Sequence, residues 1–143
     1  LGALEHLGGG FSLWDNVSLA TVEGMDSFAT LDGNLSILRN SLLAHLDGFS
    51  ALSGTVGGIM TIQDNTQLAS IQGLSQVTGI AGGLYIRRNP VLPHCDAQGF
   101  FDGLTVPPAS YLMNENDDPC DPNPCAALTC AIDCAQATDY TCN

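Results

Sequence analysis

Lysine is absent, and the only basic residues are three arginines, set against fifteen carboxylates in 143 residues. A formal charge of −12 argues against gripping nucleic acid or an anionic membrane surface, since both need a basic face. No apolar run approaches the roughly 18 residues of a membrane span, so direct membrane insertion is not expected. There is no phosphate-cradling glycine loop. No nucleophile, base and orienter recur together either, so no catalytic residues are assigned and an enzyme is not expected. Aromatic residues make up 6% of the chain, which leaves aliphatic side chains to build any core.

What the chain does have is repetition. Gly82-Gly83-Leu84-Tyr85-Ile86-Arg87-Arg88-Asn89 echoes Gly58-Ile59-Met60-Thr61-Ile62-Gln63-Asp64-Asn65. Gly33-Asn34-Leu35-Ser36-Ile37-Leu38-Arg39-Asn40 and Gly10-Phe11-Ser12-Leu13-Trp14-Asp15-Asn16 say the same. The closing asparagines are 24, 25 and 24 residues apart. A fixed period in this range marks coils stacked one on another. The alternation before each Asn predicts a short strand, with Phe11/Leu13, Leu35/Ile37, Met60/Ile62 and Leu84/Ile86 inward at about 4.8 Å per rung. Ser12, Ser36, Thr61 and Tyr85 then point outward. Two more inward columns follow: Leu19, Leu43, Leu68, Leu92 with Val22, Leu46, Ile71, Cys95, and Met25, Phe49, Leu74 with Phe28, Leu52, Val77. The fold expected is all-β: a right-handed parallel β-solenoid of about four rungs of 24–25 residues, with a small helical C-terminal cap and a disulfide-rich tail. Glycines at 24, 48 and 73, and at 33, 57/58 and 82/83, are read as turn positions needing a positive φ.

Asn16, Asn40, Asn65 and Asn89 occupy a fixed position inside an apolar stack, which is tolerable only if their amides are fully hydrogen-bonded. They are read as a structural ladder rather than a ligand site. The residues just before them, Asp15, Arg39, Asp64 and Arg88, alternate in sign and predict an ionic ladder across rungs. Asn34-Leu35-Ser36 matches a glycosylation acceptor at a turn; Asn16-Val17-Ser18 matches too, but its Asn belongs to the ladder. His45 and His94 share an outward column with Thr21 and Ser70, two rungs or about 10 Å apart, too far to share a metal. They are read as surface histidines, and no metal site is assigned.

The ends differ from the body. Leu4-Glu5-His6-Leu7 aligns with Phe28-Ala29-Thr30-Leu31, so the first rung begins in mid-repeat. Its edge, with Phe11, Leu13 and Leu19, is expected to be covered by preceding rungs or by a second copy. In the second case the end around Phe100 and Phe101 is the acceptor, giving head-to-tail assembly. Asp96 to Leu104 has helical spacing suited to a cap, and Tyr111 to Asn114 reads as a last irregular strand. The chain divides into 1–116 and an acidic, cysteine-rich tail, 117–143. Six cysteines point to an oxidising compartment. Cys95 with Cys120 is the expected pairing, since it would pin the cap to the last rung, leaving Cys125, Cys130, Cys134 and Cys142 to staple the tail. Zinc is a rival reading, without interleaved histidine. Calcium at the tail carboxylates competes with a plain solvated linker.

The Gly-x-Leu-x-Ile-x-x-Asn-x-x-Leu rungs, and the ending Asn89-Pro90-x-Leu92-Pro93-x-Cys95-x-Ala97, resemble the receptor L-domain. That family includes parts of the insulin and growth-factor receptor ectodomains, and the versions in fungal cell-wall and bacterial surface proteins are most similar. The resemblance covers residues 4 to 116, lacks an N-terminal cap, and implies protein binding or a structural role. The tail run Asp-Pro-Cys-Asp-Pro-Asn-Pro-Cys is similar to the opening of EGF-like modules, without their later Cys-x-Cys. Together these readings point to a secreted or cell-surface module that binds protein or glycan without catalysis. The alternative is a structural subunit forming filaments from copies of itself. Ice binding is a remote third, since the outward columns Ser12/Ser36/Thr61/Tyr85 and Trp14/Leu38/Gln63/Arg87 lack the regular threonines it would want.

Overall fold

Where apolar and polar residues alternate, the chain runs extended and buries every second side chain. The computed structural model describes residues 2–117. Its strands are β1 (His6–Leu7), β2 (Phe11–Trp14), β3 (Thr30–Leu31), β4 (Leu35–Leu38), β5 (Gly54–Val56), β6 (Met60–Gln63), β7 (Val77–Ile80), β8 (Gly83–Arg87) and β9 (Ser110–Asn114), with helix α1 (His94–Asp102) between the last two. Strands β2-β4-β6-β8-β9 form one five-stranded parallel sheet, and β1-β3 and β5-β7 form two small ones. Each pairing joins residues one repeat apart, as in Phe11↔Leu35, Leu35↔Met60 and Met60↔Leu84. Leu35, Ile37, Met60, Ile62, Leu84 and Ile86 are completely buried on the inner face.

The class expected from the repeat is corrected. The sheets are open rather than closed, and a helix and two 3₁₀ turns stand among the strands, so the chain is an α/β mix rich in one parallel sheet, not an all-β solenoid. The physical reason lies in the spacing of the other inward columns. Leu46, Phe49 and Leu52, like Ile71, Leu74 and Val77, are spaced by three, the interval at which a 3₁₀ turn puts side chains on one side. Asp47–Phe49 and Gln72–Leu74 are such turns. At the third repetition the same stretch lengthens into α1, which buries Cys95 and Ala97 against the end of the stack. The helix starts two residues earlier than its apolar spacing suggested and ends at Gly103 rather than at the prolines.

The glycines do a different job from the one assigned to them. Of the turn glycines only Gly24 has a positive φ; Gly54 is the other glycine that does. A Cβ at Gly73 would strike the Leu46 carbonyl, and one at Gly48 would strike that of Val22. These positions are small because successive rungs touch backbone to backbone. Left-handed backbone falls instead on Asp15, Arg39, Asp64, Arg88 and Glu115, all with φ between 54° and 58°. Each non-glycine residue held there costs on the order of 1 kcal/mol, so the surroundings must enforce it.

Candidate functional site

Each of those left-handed residues turns the chain so that the next one, an asparagine, points back into the stack. Asn65 shows the bonding in full. Its Nδ2 donates to the Ile37 carbonyl (3.0 Å) and to Asn89 Oδ1 (3.2 Å). Its N–H also donates to Asn89 Oδ1 (3.1 Å), while its own Oδ1 accepts from the N–H (3.0 Å) and Nδ2 (3.2 Å) of Asn40. Asn40 and Asn89 repeat the pattern and, with Asn65, are completely buried. The buried members Asn40, Asn65 and Asn89 therefore saturate their own amides and leave nothing to offer a ligand. Asn16 heads it but is exposed, contrary to its reading as a buried member.

A fifth member escaped the sequence reading. Asn116 Oδ1 accepts from Asn89 Nδ2 (3.2 Å), and its Nδ2 donates to the Ile86 carbonyl (2.8 Å). Glu115 before it is left-handed like its counterparts. Strand β9, expected to be irregular, pairs with β8 along its whole length. The signal was present in Tyr111-x-Met113-x-x-Asn116, but α1 stretches this repeat to 27 residues.

The charged column is two separate pairs rather than a continuous ladder. Arg39 holds Asp15 in a two-pronged contact (2.6 and 2.8 Å), and Arg88 holds Asp64 likewise (2.6 and 3.1 Å). No ion pair joins Arg39 to Asp64 among the described residues. The Arg88 guanidinium, with help from Gln63 Nε2, keeps the Asp64 carboxyl down at about 2, against opposing desolvation. Arg39 lowers Asp15 by the same kind of bond. Gln63 also accepts from Arg87 Nε (2.7 Å), so the four side chains Arg87, Gln63, Asp64 and Arg88 interlock.

The outer face of the five-stranded sheet carries two mixed columns in register. One is Ser12, Ser36, Thr61, Tyr85 and Leu112; the other is Trp14, Leu38, Gln63, Arg87 and Asn114. Trp14 on the edge strand is 56% exposed and Ile59, just before β6, is 41% exposed. Asn34 is exposed as well, but its Oδ1 accepts from the Ile59 N–H (2.8 Å), which ties the side chain to the next rung. This flat face, rigid below and varied above, is the surface best placed to meet another molecule.

Other candidates are weaker. A cavity of about 320 Å³ lies under α1, lined by Ile71, Gln72, Val77, Cys95, Asp96 and Phe100. Burial raises the Asp96 carboxyl there above its ordinary value. His94 is corrected from surface to core: α1 turns it inward, it is 2% exposed, and burial lowers its pKa. His45 is exposed. His6 touches Thr30 Oγ1 (2.7 Å) and Asp32 (3.4 Å), but the His6–Asp32 pair lies open to solvent. Phe100 and Phe101 pack partly buried against the core, with Phe101 stacked on Tyr111 at 4.4 Å. Phe11, Leu13 and Leu19 are partly buried at the opposite end. Cys95 is disulfide-bonded. The expected pairing with Cys120, the cysteines at 125, 130, 134 and 142, and the calcium reading of the tail carboxylates all lie outside the described residues. Among the described residues no group of three His, Cys, Asp or Glu side chains is placed to hold a metal, and no helix is long and apolar enough to cross a membrane.

Comparison with known proteins returned no matching family model, no matching curated protein and no matching solved structure.

Proposed function

We propose that the chain is a non-catalytic recognition module of a secreted or cell-surface protein, similar to a receptor L-domain, that meets protein or glycan through the outer face of its five-stranded sheet. The observation that carries this reading is the division of labour between the two faces. The inner face and the buried ladder asparagines, Asn40, Asn65 and Asn89, use up their bonding groups internally, while the outer face presents Trp14, Ile59 and a row of hydroxyls on a fixed frame. Exposed aromatic rings beside hydroxyl and amide groups suit sugar rings and peptide surfaces alike. The disulfide at Cys95 is in keeping with an oxidising compartment.

The test is binding of the purified protein to immobilised polysaccharides and to an array of extracellular proteins. Trp14→Ala with Tyr85→Ala should reduce binding at least about tenfold, the scale of losing an aromatic anchor. Gln98→Ala, on the solvent side of α1, should leave it unchanged. Binding that is indifferent to the outer-face pair, or none to either panel, would reject the reading.

A further inference from the structure

We infer that the outer face around Tyr85 and Arg87 is a subsite for a hexuronic acid, a sugar ring bearing one carboxylate, within an otherwise uncharged glycan. The inference rests on the recognition reading above and names the ligand class for that face.

Arg87 is the cation that the fold leaves without a counter-charge. Of the three basic side chains, Arg39 is held by Asp15 and Arg88 by Asp64, whereas Arg87 meets no carboxylate among the described residues. Its Nε donates to Gln63 Oε1 (2.7 Å), Gln63 Nε2 donates to Asp64 (2.7 Å), and Asp64 is fixed in turn by Arg88. That chain of bonds holds the guanidinium in place and leaves its two terminal nitrogens for a ligand. A planar fork matches a carboxylate with two parallel hydrogen bonds, and holding it beforehand lowers the ordering cost of binding.

Tyr85, two residues earlier on the same face, supplies the sugar platform. Gly83 carries no side chain there, and a Cβ on it would lie 2.8 Å from Tyr85 Cε2 and 3.0 Å from the Tyr85 hydroxyl oxygen. The ring therefore leans back along β8 over Gly83, and its hydroxyl is tied to Ser110 Oγ at 3.0 Å. Thr61, in register on β6, adds a hydroxyl with no side-chain partner among the described residues. Tyr85 and Arg87 lie about 7 Å apart along the strand, the reach of one pyranose ring with its carboxylate. A ring laid along a sheet suits a flat sugar ring, whereas a peptide anchor wants a socket. The charge of −12 disfavours polyanions, so the acidic sugar belongs in a mostly neutral chain.

The probes are the disaccharide cellobiuronic acid and its neutral counterpart cellobiose, titrated into the full chain and followed by amide and arginine side-chain NMR signals. The acid should bind at least about tenfold more tightly, the scale of one two-pronged charged contact, with shifts at Thr61, Tyr85 and Arg87. Arg87→Gln should bring the two sugars to equal affinity. Arg87→Lys, which keeps the charge without the fork, should restore only part of the preference. Arg39→Gln should leave the preference as it was, since Asp15 already occupies that arginine. Tyr85→Ala should weaken both sugars alike. Equal affinity of the two sugars for the unmutated chain would overturn the inference, as would no binding of either at millimolar concentration. A preference that survives Arg87→Gln, or shifts confined to another surface, would overturn it too. An acidic tripeptide, Gly-Glu-Gly, binding as tightly as the acidic sugar would overturn the saccharide assignment. Outer-face binding in the array that is lost in the Trp14→Ala, Tyr85→Ala pair but indifferent to Arg87→Gln would reject this inference alone.

Discussion

The first rung and the third are written in nearly the same residues and live in different environments. Phe11, Leu13 and Asn16 correspond to Met60, Ile62 and Asn65, yet the latter three are wholly buried while Asn16 is exposed and the other two are half-covered. The residues contribute the same chemistry in both places. What differs is that, among the described residues, the third rung has neighbours above and below and the first has one. The worth of a repeat position is therefore set by its stacking partners as much as by its own side chain, which is the nearest-neighbour logic of stacked repeats.

Three measurements sharpen that contrast. The largest effect is expected for Ile62→Ala, which opens a cavity in a fully enclosed column and should cost about 2–5 kcal/mol in a urea titration. Leu13 is only partly buried, so Leu13→Ala gives up less buried apolar surface and should cost under about 1.5 kcal/mol. Equal losses would mean that the edge is as closely packed as the interior, and the contrast would fail. Next comes Asn65→Ala at about 1–3 kcal/mol, because the backbone groups it serves, the Ile37 carbonyl and the Asn40 N–H, stay buried. Asn16→Ala should stay within about 0.5 kcal/mol, since water replaces the lost bonds.

The smallest effect concerns the two ion pairs. Asp64 is held at about 2, below its ordinary 3.8, so its bond to Arg88 stabilises the fold fully above pH 4 and is lost as pH falls toward 2. Asp15 shifts in the same direction but its pair lies more open to solvent. Between pH 7 and pH 2.5 the urea midpoint of Asp64→Asn should fall less than that of the unmutated chain, by the equivalent of about 1 kcal/mol or less. Asp15→Asn should show a smaller difference still. His94 acts on the same side of the profile: its depressed pKa means that the unfolded chain takes up the proton first, so stability also declines as pH drops below about 6.5.

Much of this was legible in the sequence because a repeat read several times averages out local noise. The inward columns, the alternation before each asparagine and the ladder itself came from spacing alone. The misreadings share a cause: they concern contacts between rungs, which spacing does not encode. Glycine at 48 and 73 looks like a turn residue from within one rung, and only the neighbouring carbonyls of Val22 and Leu46 explain it. Asp15, Arg39, Asp64 and Arg88 carry no mark of left-handed backbone, because it goes with the ladder amide that follows each one and bonds to the next rung. His94 and Asn116 were lost together, where α1 interrupts the period and turns an outward position inward. The fold class slipped for the same reason, since residues spaced by three satisfy a core column without being strand.

The stretch from the first residue of the inward column to its asparagine is the same in every repeat, as in Phe11 to Asn16, Met60 to Asn65 and Leu84 to Asn89. Asparagine-to-asparagine spacing, by contrast, takes values of 24, 25 and 27 residues. All length variation has been pushed into the return path, and none into the strand and the turn that sets the amide. A protein engineer inherits a clear rule from this. Foreign loops belong between Pro93 and Pro108, where a helix has already been accommodated, and a single added residue between Met60 and Asn65 would put the whole downstream stack out of step.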